Sequence, residues 1–289
     1  MPIRVLTVDL EDWFHLLDHP ATAQPSSWTR FASRIEGNTE RLLELFARHR
    51  VRATFFSLGW VARTYPALLR RIADAGHEIG SHSDVHSLVS RQRPDDFRAE
   101  TSRSIGAIEN AVGAKVRYYR APGFSITAAS TWALGVLAEL GIEADLSLFP
   151  AARAHGGFPR GSLVGPTLLV LGDHTLRELP MTVAGVGPVQ LAYAGGGYFR
   201  LLPFPVIRAA CLRSAYVMTY FHPRDFDAGQ PVLAGLSVVR RFKSYNGLGG
   251  ALGKLDALLR AFDFVDVRTA MRRVDWEKVP RLALAVPPP

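Results

Sequence analysis

The sequence predicts an α/β fold in which parallel strands form a barrel with helices outside. Two observations carry this expectation. Short β-branched or aromatic runs alternate with helical stretches over the first two thirds of the 289 residues, and such alternation puts helices on the outer face of a parallel sheet. Polar and charged residues collect at the C-terminal ends of the expected strands, where (β/α) barrels place their chemistry. The composition, 48% hydrophobic and 21% charged, is that of a folded globular chain.

Residues 3–9 read as the first strand. Leu42, Leu43, Leu45 and Phe46 recur at helical spacing and make 34–49 a helix. A strand follows at 52–57, then a helical stretch at 60–75 in which Pro66 opens a second segment and Gly76 ends the run. Residues 77–81 form a short strand, 95–112 a helix, 116–119 a strand, 131–140 a helix and 142–146 a strand. The stretch from about 150 to 204 is rich in Gly and Pro and holds two strands, 167–171 and 175–179. It reads as a β-rich insertion over one face of the barrel. Helix and strand resume at 206–213, 216–221, 248–262 and 264–267. The Pro-rich end, 286–289, is expected to be a loose tail.

The single cysteine, Cys211, excludes an internal disulfide and reads as a small buried apolar residue. The formal net charge is +8, but the Arg residues are spread along the chain without aromatic-basic interleaving, so no nucleic-acid module is expected. The N-terminus lacks the apolar stretch of about 7–15 residues of a signal peptide. No run approaches the roughly 18 apolar residues of a membrane span. The expectation is a cytoplasmic protein with no membrane span, open to peripheral contact with a lipid-linked substrate.

The strongest local signal is His82-Ser83-Asp84-Val85-His86. Two imidazoles four residues apart can meet one metal ion when they share a helical turn. At the end of the first strand stands Asp9-Leu10-Glu11-Asp12, where acids are costly unless solvated, paired or metal-bound. Together they suggest a His₂–carboxylate metal site with a spare carboxylate base. Such a metal polarises an amide carbonyl and acidifies water, and the carboxylate takes the water's proton.

These motifs resemble those of the polysaccharide deacetylases, the family of chitooligosaccharide and peptidoglycan deacetylases. The resemblance rests on Thr7-Val8-Asp9-Leu10-Glu11-Asp12, Ala53-Thr54-Phe55-Phe56, His82-Ser83-Asp84-Val85-His86, Arg120-Ala121-Pro122-Gly123-Phe124, Asp145 and Tyr220-Phe221-His222-Pro223, in that order. Asp9-Leu10-Glu11-Asp12-Trp13-Phe14-His15, Gly195-Gly196-Gly197-Tyr198-Phe199-Arg200, Phe221-His222-Pro223 and Arg241-Phe242 resemble the branch encoded with bacterial exopolysaccharide and exosortase loci.

The resemblance implies a distorted (β/α) barrel of the NodB-homology type over residues 1–275, with the insertion at about 150–204 and a C-terminal tail at 276–289. It implies a metal-dependent N-deacetylase acting on an N-acetylated glycan in exopolysaccharide biosynthesis, with one divalent ion, Zn²⁺ by donor type. Asp9 matches the catalytic base, Arg120 the arginine that orients it, and His82 and His86 the metal ligands. Strand alternation selects Glu11 as third ligand, with Asp12 as the alternative. Gly123 matches the oxyanion donor, His222 the general acid and Asp145 the acid that tunes it. Trp13 is the candidate for stacking on sugar, and His15 and His155 are candidates to line the cleft. Gly195–Gly197 reads as a tight turn near the cleft. The alternatives are an allantoinase-like cyclic-amide hydrolase and a glycan-binding protein without catalysis.

Overall fold

The computed structural model describes residues 2–17, 19–159, 161, 163–186 and 189–285. In its first half strands and helices alternate as β1 (Ile3–Val5), β2 (Thr7–Leu10), α1 (Ile35–His49), β3 (Thr54–Ser57), α2 (Gly59–Thr64), α3 (Pro66–Asp74), β4 (Glu78–Ser81), α4 (Pro94–Val112), β5 (Tyr118–Tyr119), α5 (Trp132–Glu139) and β6 (Ala144–Asp145). The second half contains β7 (Thr167–Leu171), β8 (His174–Glu178), β9 (Ala184–Val186), β10 (Val189–Leu191), α6 (Gly196–Leu201) and α7 (Phe204–Arg213). It continues with β11 (Tyr216–Met218), α8 (Val238–Tyr245), α9 (Leu248–Ala261), α10 (Val267–Arg273) and β12 (Arg281–Ala283).

Eight strands join in the order β12-β7-β8-β6-β5-β4-β3-β2. From β2 to β8 every neighbour is parallel. The expected first strand divides at Leu6 because the chain changes partners there: β1 pairs with β11, and β2 pairs with β3. A parallel bridge from Val8 to Phe221 sets the chain after β11 beside β2. On the far side β11 meets the segment after β8 through side chains, Met218 N–H donating to Thr182 Oγ1 at 2.8 Å and the Tyr216 hydroxyl to the Pro180 carbonyl at 3.0 Å. The result is a distorted, mostly parallel barrel.

Helices cover the outside. α1 turns Leu42, Leu45 and Phe46 inward, all fully buried, at the spacing that keeps one face of a helix on a sheet. α4 is different, because its inward face carries Glu100, Thr101 and Ser104 beside Phe97 and Ile108. Of these, Glu100 and Ser104 bind the loop after β4. No helix of the described residues is long and apolar enough to cross a membrane.

The register aligns the strand ends. Leu10, Ser57, Ser81, Tyr119, Asp145 and Glu178 are successive neighbours across the sheet. The next residue on each of these strands therefore reaches the same rim, and Glu11, His82 and Arg120 are among them.

Three expectations need correction. The stretch from 150 to 204 does not simply lie over a face, since its β7–β8 hairpin extends the main sheet through a parallel β6–β8 ladder. The tail from 276 is not wholly loose, because β12 adds to β7 in parallel; residues 286–289 lie outside the described residues. Residues 264–267 are no strand: Val265 makes one bridge to Val5, and Asp266 then caps α10 by accepting from Thr269 N–H at 2.8 Å.

Inside the barrel Gly80 stands opposite Phe56 on the neighbouring strand. A Cβ there would meet the Phe56 ring and the Tyr118 carbonyl at 2.8 Å. Gly80→Ala is therefore expected to destabilise the fold by about 1–3 kcal/mol through overpacking. A denaturant midpoint equal to that of the parent would show that the layer can absorb a methyl group.

Candidate active site

The aligned rim opens into a cavity of about 800 Å³ lined by Asp9, Glu11, His82, His86, Gly123 and His222 among others. Asp9, the penultimate residue of β2, is almost fully buried. Its Oδ1 accepts from Arg120 Nη1 at 2.7 Å. Arg120 is fully buried, donates also to Thr7 Oγ1 at 2.8 Å and lies over the Phe56 ring at 4.4 Å. A buried carboxylate and a buried guanidinium each need a partner inside the protein, and here each is the other's.

Glu11 Oε1 lies 3.0 Å from His82 Nε2 and 3.0 Å from His86 Nε2. Burial pushes the Glu11 carboxyl up, but the charge of His86 and hydrogen bonds with His82 and His86 outweigh it and hold the group well below the usual carboxylate range. His82 Nδ1 is 2.7 Å from the Arg120 carbonyl. A carbonyl only accepts, so Nδ1 must carry a proton, and Nε2 faces Glu11 either as a donor in the doubly protonated ring or as a lone pair in the singly protonated one. In the singly protonated ring, two lone pairs at 3.0 Å need a positive centre between or beside them. This donor set fits a divalent cation, with the backbone carbonyl fixing the tautomer from behind.

The two histidines reach Glu11 without the helical turn expected from their spacing. Residues 82–86 are a loop in which Ser83 and His86 adopt positive φ of 68° and 61°. For residues other than glycine that conformation is strained and needs support from its surroundings. Here the support comes from two helices. Gly59 and Trp60 N–H donate to the Ser83 and Asp84 carbonyls, and Ser104 Oγ donates to the Ser83 carbonyl at 2.8 Å. Glu100 accepts from Asp84 and Val85 N–H. Asp84 itself turns outward to Arg63 at 2.6 Å.

His222 stands across the cavity, with Nε2 3.9 Å from both Asp9 Oδ2 and Glu11 Oε1. Its Nδ1 is 2.9 Å from Asp225 Oδ2, and Asp225 Oδ1 forms a 3.1 Å ion pair with Arg200. Burial lowers the His222 pKa, but the Asp225 charge and hydrogen bond, with Glu11 and Asp9 beyond, push it up to about 9. Burial raises Asp225, and His222, Arg200 and Arg224 overcome it and bring the group down to about 2.

Asp145 therefore does not tune His222. It is fully buried, accepts from Ser147 Oγ at 2.5 Å and interacts with Glu178. Burial raises both carboxyls of that pair. The strand ladder sets Asp145 directly beside Glu178, which commits it to a neighbour inside the barrel. Asp225 was missed in the sequence. Its signal was local: Pro223 follows His222 and Asp225 comes three residues on, the pattern of a capped helical start.

Trp13 is also corrected. It is buried, donates Nε1–H to the Ala32 carbonyl at 2.9 Å and packs edge-on to Phe14 and Phe31, so it offers no face to a sugar. Asp12 faces away from the histidines. It accepts from Ser33 Oγ at 2.6 Å, Trp13 N–H at 2.8 Å and Arg34 N–H at 3.0 Å. His15 and His155 line the cavity as expected; burial lowers His15 to about 3 and keeps it neutral. Gly196 and Gly197 line it too. The turn there needs glycine, because Gly196 has φ +52° and a Cβ would fall 2.7 Å from the Tyr220 hydroxyl.

The polysaccharide deacetylase family model matches residues 21–144, and a domain of unknown function, DUF3473, matches residues 146–272. Asp9 and Glu11 precede the first match, His82, His86 and Arg120 fall within it, and His222 and Asp225 fall within the second. A peptidoglycan-N-acetylglucosamine deacetylase of Bacillus cereus is 31% identical over 84 residues, 29% of this chain and 30% of that protein. A chitooligosaccharide deacetylase of Sinorhizobium fredii is 38% identical over 85 residues, 29% of this chain and 40% of that protein. The chain thus spans less than half the length of these curated relatives. A crystal structure from Mycobacterium smegmatis assigned to the polysaccharide deacetylases superposes with a TM-score of 0.64 at 24% identity, covering 97% of this chain and 92% of that one. A family 4 carbohydrate esterase pseudoenzyme from Bacillus anthracis gives 0.51 at 14% identity, covering 98% and 69%. These likenesses show the fold.

The three hydrogen bonds to Asp12 predict a structural role. Asp12→Ala is expected to lower stability by about 1–3 kcal/mol by stranding buried donors. A denaturant midpoint that does not move would return Asp12 to the candidate metal ligands.

Proposed function

With residues 21–144 matching the polysaccharide deacetylase family model, we propose that this chain is a metal-dependent N-deacetylase of N-acetylated glycans. One observation carries the reading: Asp9 with Arg120, Glu11 with His82 and His86, and His222 with Asp225 converge on one cavity. Glu11, His82 and His86 would hold the divalent ion, and donor type favours Zn²⁺. Such an ion, when bound, polarises the acetyl carbonyl and makes water a better nucleophile.

The chain's own groups then divide the proton traffic. Asp9, anchored through Oδ1 by Arg120, keeps Oδ2 toward the cavity and accepts a proton from the attacking water. The water oxygen bonds to the acetyl carbon. His222 enters the cycle protonated, its Nδ1–H committed to Asp225 and its Nε2–H free to face the amide nitrogen. That nitrogen takes the proton as the C–N bond breaks, leaving acetate and a free amine. Gly123, on the facing loop, is the proposed backbone donor to the carbonyl oxygen as it gains charge.

The setting we favour is exopolysaccharide biosynthesis on a polymer, oligomer or lipid-linked glycan. α8 supports the lipid-linked form. It borders the cavity with Val238, Val239 and Phe242 exposed beside Arg240, Arg241 and Lys243, a combination that suits an anionic lipid surface.

Acetate release from N-acetylated oligosaccharides, measured alongside metal analysis, tests the reading. The parent protein should carry about one divalent ion and release acetate, and the His82→Ala/His86→Ala double variant should lose both. Stoichiometric metal in the folded double variant would remove the site. Metal-loaded parent protein that binds these glycans yet releases no acetate would favour the glycan-binding alternative.

The pH profile tests the acid. A raised His222 pKa means that the acid form persists up to about pH 9 and is lost above it, so kcat/KM should fall on an alkaline limb near that value. Asp225→Asn removes the negative charge that most favours the protonated ring and should draw the limb toward acid. The same substitution at Asp145 should leave the limb in place. A limb that moves with Asp145 and not with Asp225 would reverse the pairing.

A further inference from the structure

The catalytic cavity carries a cation that the deacetylation step does not use. Arg224 lines it, yet the residue is only 8% exposed. Its Nη2 is buried and has no hydrogen-bond partner among the described residues. The Tyr245 ring lies 5.7 Å from the guanidinium carbon. The adjacent carboxylate, Asp225, is already divided between His222 and Arg200.

The other acids of the cavity are committed as well, Asp9 to Arg120 and Glu11 to the two histidines. The cationic side is larger, because Arg153 and Lys243 line the same space. A buried guanidinium without a hydrogen-bonded counter-charge is expensive, and its planar fork suits an oxyanion.

Resting on the deacetylase reading, we propose that Arg224 is the centre of an anion subsite, and that the substrate is an acidic glycan carrying a carboxylate or phosphate near the N-acetyl sugar. Arg153 and Lys243 add positive field from the facing loop and from α8. A neutral N-acetylhexosamine oligomer would occupy the reacting position and leave this subsite unfilled. The discrimination between acidic and neutral glycans then belongs to Arg224, expressed mainly in KM because the contact is made in ground state and transition state alike.

The test compares three substrates on the metal-loaded protein: a neutral N-acetylhexosamine oligomer, one with a neighbouring hexuronate, and one with a neighbouring phosphate ester. The expected result is an acidic-over-neutral preference in kcat/KM of about 10-fold to 100-fold, the range of a charge-assisted hydrogen bond. Arg224→Gln should collapse that ratio toward one through KM, and Arg224→Lys should retain part of it. A preference confined to the hexuronate names the carboxylate source, and one confined to the ester names phosphate. Equal use of acidic and neutral substrates by the parent overturns the subsite, as does a preference that survives Arg224→Gln. A uniform fall in kcat on all three would make Arg224 a support for Asp225 only, which also overturns it. Calorimetric binding of glucuronate and inorganic phosphate provides an arm independent of turnover. Binding of either by the parent and its loss in a folded Arg224→Gln variant supports the subsite, whereas no binding of either rejects it. Absence of acetate release from every substrate rejects the deacetylase reading, and the binding arm still decides the subsite.

Discussion

The site depends first on a charge that has no route to solvent. Arg120 is fully buried at the centre of the barrel, and a guanidinium there must find its partners inside the protein. It finds them on three strands: Thr7 and Asp9 on β2, the Leu146 carbonyl just after β6, and the Phe56 ring of β3 beneath its plane. Its own carbonyl orients His82. One residue therefore fixes the candidate base, the tautomer of a candidate ligand and the spacing of the strands that carry them. Taking away one member of such a buried pair leaves an uncompensated charge, at a typical cost of about 3–5 kcal/mol. Stability and site geometry cannot be separated at this position.

Much of this was legible in the sequence because strand periodicity and barrel topology are strong constraints. A parallel ladder with a common register brings the last residue of each strand to one rim, so Asp9, Glu11, His82 and Arg120 could be assembled from strand ends alone. Glu11 over Asp12 followed from period-two alternation, and the structure keeps that geometry: Glu11 faces the histidines while Asp12 binds Ser33 and Arg34. Where the reading failed, a local rule yielded to tertiary context. Spacing suggested a helical turn for His82 and His86, but contacts from α2 and α4 hold the loop in left-handed conformations instead. Trp13 looked like a sugar platform beside an acidic motif, yet its indole had an apolar cluster to fill and a carbonyl to reach. Asp145 sat at a strand end in the expected order, but sequence order could not reveal that Glu178 would lie beside it.

The second half of the chain was the least legible, for a physical reason. α6, α8 and β12 are short, and their places follow from long-range contacts that no local pattern encodes. The residues that matter there act at a distance in sequence. Arg200 donates to the carbonyls of Lys243, Ser244 and Asn246 at the end of α8. The same guanidinium pairs with Asp225, which in turn holds His222.

That arrangement makes the boundary between the two family matches a poor guide to the working unit. The first match contributes two candidate ligands and the arginine that anchors the candidate base, whereas the second contributes the candidate acid, its carboxylate partner and the helix bordering the cavity. Arg200 couples the last two, since the charge that lowers Asp225 also ties down the carbonyl end of α8. A shift of α8, by contact with substrate or with a surface, would act on the guanidinium that steadies the His222–Asp225 pair. The helix that borders the cavity and the group proposed as the acid are thus held by one side chain, and the site is complete only when both halves of the chain are folded together.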